Sequence, residues 1–141
     1  MNIDLKKIKM SQIWQNDKVI PVTFLKFDVK DKEKISTLKE GMVVKLSGKS
    51  KGKGFQGVVK RHGFAGGPRS HGQKDRERAP GSIGPTAPQR TIKGRKMAGH
   101  MGQQTITLLK VPIIQINFDD CFLLVKGPVP GYRGSLVQIK I

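Results

Sequence analysis

SGKSKGKGFQGVVKRHGFAGGPRS, from Ser47 to Ser70, opens a stretch to Gln104 whose composition differs from the rest of the chain. The stretch holds thirteen of the 27 Lys and Arg residues, all three His and thirteen of the 17 Gly, but only two acids, Asp75 and Glu77. Ordering a residue costs roughly 1–2 kcal/mol of chain entropy, and a segment this rich in glycine and charge has little apolar surface to offset that cost. We therefore expect an anionic partner to order it, because cationic contacts with a polyanion release condensed counterions.

The whole chain, like the basic stretch, is rich in positive charge. Its 141 residues carry a formal net charge of +17, which is typical of nucleic-acid binders, although a lysine-rich surface without a partner is the alternative. The hydrophobic content of 36% permits one modest core, and the aromatic content of 6% makes base stacking a minor binding mode. The single Cys121 excludes an internal disulfide and fits a reducing compartment. Because the N-terminus lacks a secretory h-region and no apolar run approaches the ~20 residues that span a bilayer, we expect a soluble intracellular protein without a membrane partner.

Strands are predicted on both sides of the basic stretch. Before it, Val19 to Phe27 is β-branched and aromatic, with Pro21 near its start or on an edge, and Met42 to Leu46 forms a second short strand. The charged residues 28–39 between them predict a short helix or an exposed turn. After it, strands are expected at 105–111, 113–117, 121–126 and 135–141, with a hairpin turn at Asp119-Asp120.

Short strands at regular spacing predict a mainly β fold, namely a small antiparallel β-barrel body with a long Gly/Lys/Arg-rich extended loop. We assign residues 1–46 to the first part of the body, 47–104 to a basic arm and 105–141 to the second part of the body. A structureless loop of this length inside a compact domain is expected only where it is functional and ordered by a partner.

Two short patterns resemble phosphate-binding motifs, but the high glycine and lysine content of the stretch is enough to explain both. Gly52, Gly54 and Gly57 match the dinucleotide fingerprint, but that motif needs a buried strand before it and a helix after it. Gly48-Lys49-Ser50 ends like a nucleotide-binding loop, but Val43 stands where the required glycine belongs. We therefore expect no nucleotide cofactor and no small-molecule substrate.

Catalytic and metal-binding patterns are also missing from the sequence. The three histidines and Cys121 form no closely spaced ligand pair, so no metal is expected. Asp75 and Glu77 lie among Lys74, Arg76 and Arg78 and are expected to form internal salt bridges. Ser70-His71 and Ser82 have no triad context, so we predict no catalytic residue and no enzymatic activity.

An ordered set of motifs lies mostly within the basic stretch. Weaker motifs precede it at Lys9-Met10 and Ile20 to Thr23, and one more follows it at Leu123 to Gly131 (LLVKGPVPG). The set comprises Ser50 to Gly57 (SKGKGFQG), Lys60 to Phe64 (KRHGF), Ser70 to Gly72 (SHG), Pro80 to Gly84 (PGSIG) and Lys93 to Gly102 (KGRKMAGHMG). In this order the motifs resemble the ribosomal protein L3 family of the large subunit, in its bacterial form. The resemblance covers most of the chain, and its central motifs are long enough to be specific.

The resemblance implies a structural component of the large ribosomal subunit that does no chemistry. Such a protein binds ribosomal RNA directly, supports subunit assembly and extends its arm toward the peptidyl transferase centre. Its partners are large-subunit ribosomal RNA and neighbouring large-subunit ribosomal proteins, and its expected location is the ribosome of the cytoplasm or, alternatively, of an organelle. These implied roles agree with the composition, which predicts a body that can fold alone and an arm that folds against RNA.

Within the arm we predict RNA contacts from cationic and hydrogen-bonding side chains. The candidates are Lys49, Lys51, Lys53, Lys60, Arg61, His62, Arg69, His71, Lys74, Arg76, Arg78, Ser82, Arg90, Lys93, Arg95, Lys96 and His100. Phe55 and Phe64 are expected to be local packing anchors more often than base-stacking groups.

Two departures from the family pattern matter. Bacterial members are usually longer, with a further segment between the strands near Val22 and Val43, where residues 28–40 make a short bridge here. The body is therefore expected to lack a subdomain, which puts its peripheral contacts in doubt. Some relatives carry a methylated glutamine a few residues after the Gly-Ser-Ile-Gly motif. Here Pro85 to Pro88 occupy that region and Gln89 is slightly displaced, so we do not expect the modification in this chain.

The rival interpretation is a general nucleic-acid-compacting basic protein, for which net charge alone suffices. The patterned order of the arm and the lack of a recognition helix or a dimerisation heptad argue against it.

Overall fold

The computed structural model describes residues 2–140 and is mainly β. Within that range the strands are β1 (Asn2–Gln15), β2 (Lys18–Lys26), β3 (Val43–Lys49), β4 (Phe55–Gln56), β5 (Gly99–His100), β6 (Thr105–Asn117), β7 (Phe122–Lys126) and β8 (Leu136–Lys140). The helices are short: a 3-10 turn (Val29–Asp31), α1 (Lys32–Ser36) and α2 (Val58–His62).

The chain divides into two compact units. The first runs to Lys51 and resumes at Gln103, and the second runs from Gly52 to Gly102. We call the first unit the body and the second unit, residues 52–102, the arm, which is shorter at both ends than the predicted arm of residues 47–104. The predicted division of roles between residues 47–104 and the flanking parts stays a prediction.

Six antiparallel strands of the body pair in a ring. Each strand has two neighbours, in the order β1-β2-β7-β6-β3-β8, and β8 pairs again with β1. The expected mainly β, antiparallel body is confirmed as this ring-like sheet. Since each of the six strands has a neighbour on both sides over part of its length, the ring limits the exposed edges on which sheets aggregate.

Alternating apolar residues build the core on the inner face of the ring. Ile3 and Leu5 of β1, Leu25 of β2, and Val137 and Ile139 of β8 are almost completely buried, while the residues between them are exposed. Leu46, Ile113, Leu123 and Val125 complete the cluster from the remaining strands, and Ile35 and Leu38 add to it from the segment around α1. The period of two is the signature of a sheet with one buried face.

Lys7 is a charged residue at a core position of β1. It is only 8% exposed, and its Nζ donates hydrogen bonds to the carbonyl oxygens of Val129 (2.6 Å) and Gly131 (3.0 Å). Its backbone also accepts from the N–H of Gly134 and donates to the oxygen of Ser135. Lys7 therefore ties β1 to the Pro- and Gly-rich loop between β7 and β8.

The strand predictions are confirmed in β2, β3, β7 and β8, although Ile141 of the last predicted strand lies outside the described residues. The charged segment 28–39 forms a short helix, which is one of its two expected forms. Pro21 lies near the start of β2, before the pairing with β7 begins at Val22 opposite Lys126. The two strands expected at 105–111 and 113–117 are one strand, β6. It changes partner at Pro112, from β3 to β7, so a residue without an N–H is tolerated there.

The hairpin between β6 and β7 is confirmed. The side-chain oxygen of Asn117 accepts hydrogen bonds from the backbone N–H groups of Asp119 (2.9 Å) and Asp120 (3.2 Å), which stabilises the turn. Cys121 follows with a positive φ of 56° and is buried as a free thiol.

Candidate nucleic-acid interface

The arm has almost no hydrophobic core. Among its residues, which are all described, Val58 in α2 is the one buried hydrophobic side chain, at 3% exposure. Regular structure is limited to α2 and the two-residue strands β4 and β5, in which Phe55 pairs with His100 and Gln56 with Gly99. Apolar burial therefore contributes little to ordering these residues, as the composition predicts.

α2 is fixed to the second half of the arm by two of the predicted RNA-contact residues. Arg61 donates from Nη1 to the carbonyl oxygen of Met97 at 2.7 Å, and Nε2 of His62 lies 2.9 Å from the same oxygen. The helix ends at Gly63, whose left-handed φ of 73° lets its N–H bond the carbonyl of Val59. Arg61 and His62 are half-buried and serve the arm's own structure.

Other candidates are held by internal hydrogen bonds. Arg69 forms an ion pair with Glu77 at 2.6 Å, which confirms Glu77 as an internal salt-bridge partner, although its cation is not a sequence neighbour. Arg95 donates to the carbonyl oxygen of Ser82, whose hydroxyl donates to the oxygen of Gly84. The expectation for Asp75 is wrong, because within residues 2–140 it makes no ion pair within 4 Å.

The remaining candidates point into solvent. They are exposed and make no side-chain hydrogen bond or ion pair within the described part of the chain. These residues are Lys49 and Lys51 of the body and Lys53, Lys60, His71, Lys74, Arg76, Arg78, Arg90, Lys93, Lys96 and His100 of the arm. Exposed cations without an internal partner are available to an external anion.

The aromatic residues of the arm differ from each other. Phe64 is half-buried and its ring lies 6.0 Å from that of His62, in agreement with a local packing role. Phe55 is 66% exposed, and its ring meets His100 edge-on at 6.2 Å. Phe55 therefore does not act as a buried packing anchor within the described chain.

No group of three His, Cys, Asp or Glu side chains in residues 2–140 is arranged to hold a metal ion. No helix in the same range is long and apolar enough to cross a bilayer.

Backbone segments of the arm pass close to one another, although the arm has almost no hydrophobic core. A Cβ atom at Gly66 would overlap the carbonyl oxygen of Glu77, and the N–H of the next residue, Gly67, donates to that same oxygen. A Cβ at Gly84 would lie 2.6 Å from the carbonyl oxygen of Arg90. Glycine is required where two backbone segments come this close, so the glycines fix the path of the chain.

We predict that Gly84→Ala weakens the expected binding of the arm to RNA roughly tenfold. The added methyl group forces the backbone near Arg90 to shift, and overpacking of this kind costs about 1–3 kcal/mol. Gly57→Ala is the matched control, since a Cβ there meets nothing within 4 Å and its φ of −68° suits alanine. The measurement is a binding titration of both variants with large-subunit ribosomal RNA, and equal affinities contradict the prediction.

A basic, glycine-rich unit with a single buried apolar side chain is typical of proteins whose extensions bind polyanions. The Ribosomal protein L3 family model matches residues 23–121, which include the whole arm. The chain belongs to the ribosomal protein L3 family.

Several curated relatives share this similarity. The large ribosomal subunit protein uL3 of Chlorobium phaeovibrioides is 53% identical over 106 residues, covering 74% of this chain and 51% of the relative. Proteins of the same name from Dehalococcoides mccartyi and Bacillus thuringiensis are each 47% identical over 113 residues and are covered to 55% and 53%. The chain thus spans about half the length of the curated relatives it matches, in agreement with the expected shortening. Membership in a family of large-subunit ribosomal proteins also agrees with the expectation that the chain is not an enzyme.

Proposed function

We propose that this protein is a structural component of the large ribosomal subunit that binds ribosomal RNA directly through its arm. The observation that carries the proposal is that residues Gly52 to Gly102 combine fourteen exposed or half-buried basic side chains with one buried apolar residue.

 The twelve that are exposed include His71 and His100, and the half-buried ones are Arg61 and His62. Such a unit gains its order from contacts with an anionic partner rather than from a core of its own.

The proposal assigns a role to each unit. The ring-like sheet serves as a barrel-shaped body on the subunit, and the arm reaches into folded RNA toward the peptidyl transferase centre and supports subunit assembly. The partners are large-subunit ribosomal RNA and neighbouring large-subunit ribosomal proteins, and the place of action is the ribosome, of the cytoplasm or of an organelle. Supporting this role is the family match, which spans the arm completely.

The predicted RNA-contact residues divide into two groups under this proposal. Arg61, His62, Arg69 and Arg95 hold the arm in shape through Met97, Glu77 and Ser82. The remaining exposed cations meet RNA phosphates, and each neutralised phosphate releases counterions and adds roughly 0.7–0.9 to the salt slope. This division explains why a specific arm conformation, and not charge alone, is needed.

A competition titration tests the proposed function. The full chain is bound to a large-subunit RNA transcript in the presence of excess RNA of the same length and scrambled sequence. We expect the folded transcript to be bound at least tenfold more tightly at ~0.15 M salt, because the arm fits a folded RNA. Equal affinity for both RNAs favours the general nucleic-acid-compacting protein and overturns the proposal.

A further inference from the structure

A row of lysines crosses three neighbouring strands on the outside of the body. Lys45 of β3 lies directly opposite Lys140 of β8, and both are exposed, while the adjacent pair of Leu46 and Ile139 is buried. Directly opposed residues of an antiparallel pair have Cβ atoms about 5 Å apart and point to the same face. The two ammonium groups therefore stand side by side on the outer face of the ring.

An irregularity between β3 and β6 adds a third lysine. Val44 is opposite Val111 and Leu46 is opposite Leu108, so two residues of β6, Leu109 and Lys110, face the single residue Lys45. Both are exposed, although strict alternation would turn one of them into the core. The bulge thus presents Lys110 beside Lys45, and bulges commonly re-aim a side chain in this way.

The positive charge of this row is not compensated inside the protein. Like charges directly opposite each other destabilise a sheet. The nearest acid on the neighbouring strand β1 is Asp4, which is opposite Gln138, and within residues 2–140 it forms no ion pair with any lysine within 4 Å. Three lysines on adjacent strands, spaced about 5 Å apart, therefore stay without an anion.

We propose that Lys45, Lys110 and Lys140 form a second RNA-backbone site, on the body rather than on the arm. The inference rests on the proposed function and deepens it, because it assigns direct RNA contacts to three residues of the body that the sequence did not single out. The row spans about 10 Å across the strands, which suits successive phosphates of one RNA strand better than a single small anion. RNA is favoured over an acidic protein segment because the whole chain carries a net charge of +17 and its proposed partner is a polyanion.

The test compares two triple variants of the full chain in salt titrations with a large-subunit RNA transcript. The first, Lys45→Gln/Lys110→Gln/Lys140→Gln, removes the row. The matched control, Lys18→Gln/Lys30→Gln/Lys39→Gln, removes the same charge from exposed lysines of the body that form no such row. We expect the first variant to reduce the salt slope by about 2–3 and to bind roughly 10- to 100-fold more weakly at ~0.1 M salt. The control should change the slope by less than about 1.

Thermal unfolding of the free proteins separates binding from folding. Because the row contains unrelieved like-charge repulsion, the first variant should unfold at the same temperature as the wild-type chain or at a higher one. Equal losses of affinity in the two triple variants, or no loss in the first, overturn the inference while leaving the proposed function in place. If the wild-type chain itself fails to distinguish the transcript from scrambled RNA, the proposed function fails instead. Inorganic phosphate at millimolar concentration should not compete, and effective competition would indicate a small-anion site rather than an RNA site.

Discussion

A chain in which residues 49–101 are shuffled at constant composition is expected to lose incorporation into the large subunit by more than tenfold while keeping loose affinity for RNA. The loss is expected because order, not composition, places glycine where backbones meet, as at Gly84 and the oxygen of Arg90. Order also places Arg61 and His62 on the oxygen of Met97. The loose affinity should persist because the number of cations is unchanged. Incorporation is measured by sedimentation of ribosomal subunits from cells that express the tagged variant.

A second variant identifies which feature of the order matters. It keeps every glycine of the arm in place and permutes the other residues among themselves. If the backbone approaches alone determine the arm, this variant should recover part of the lost incorporation, whereas no recovery assigns the effect to the side chains. The circular dichroism of the strands controls for folding of the body. Full incorporation of the first, completely shuffled chain contradicts the account.

Lys7→Ala is expected to destabilise the body by about 3 kcal/mol. The substitution leaves the carbonyl oxygens of Val129 and Gly131 without their donor, and each unsatisfied buried acceptor costs roughly 1–3 kcal/mol. The matched control is Lys18→Ala, since Lys18 is exposed at the β1–β2 turn and surface substitutions change stability by about 0.5 kcal/mol or less. Urea unfolding followed by circular dichroism is the appropriate measurement, because Trp14 is 73% exposed and its fluorescence is a poor probe of the core. Equal stability of the two variants contradicts the prediction.

Lys7 is also expected to make the stability of the body depend on pH. Burial, and next the positive charge of Lys51, lower the pKa of the Lys7 ammonium below its ordinary value of 10.5. Between the folded and unfolded pKa values of Lys7, the unfolded chain binds more protons than the folded chain. The contribution of Lys7 to the free energy of unfolding therefore rises with pH up to about 10.5, and it is lost as the pH falls through the folded pKa. Lys7→Met lacks this titration. The stability difference between the wild-type chain and Lys7→Met should therefore grow in favour of the wild-type chain as the pH rises toward 10.5, and a constant difference contradicts the assigned cause.

Most of the body could be predicted from local patterns, and its exceptions have physical reasons. β2, β3, β7 and β8 were recognisable as short runs of β-branched, aromatic and other apolar residues bounded by turn residues. β1 was not, because the alternation of Ile3 and Leu5 continues at Lys7, a buried residue whose partners lie more than 120 positions away. The continuity of β6 through Pro112 was hidden for a similar reason, since it depends on a change of partner strand.

The character of the arm was predictable, but its internal contacts were not. Glycine and charge content indicate a unit without a core, and the structure describes a single buried apolar side chain there, Val58. Which cations form internal hydrogen bonds depends on pairings between distant segments, such as Arg95 with Ser82. The lysine row of the body was missed because cross-strand register, which a single sequence does not reveal, brings Lys45 and Lys140 together.

The central claim, that the chain is an integral part of the large subunit with its arm ordered by RNA, is tested most directly by sedimentation. A cell lysate is run through a sucrose gradient with enough salt to remove loosely bound basic proteins, and the chain is followed by mass spectrometry. Purely electrostatic binding falls steeply with salt, by a slope of roughly 0.7–0.9 per phosphate contact. We predict stoichiometric retention on the large subunit at salt concentrations that strip such proteins, and release to the top of the gradient would contradict the account.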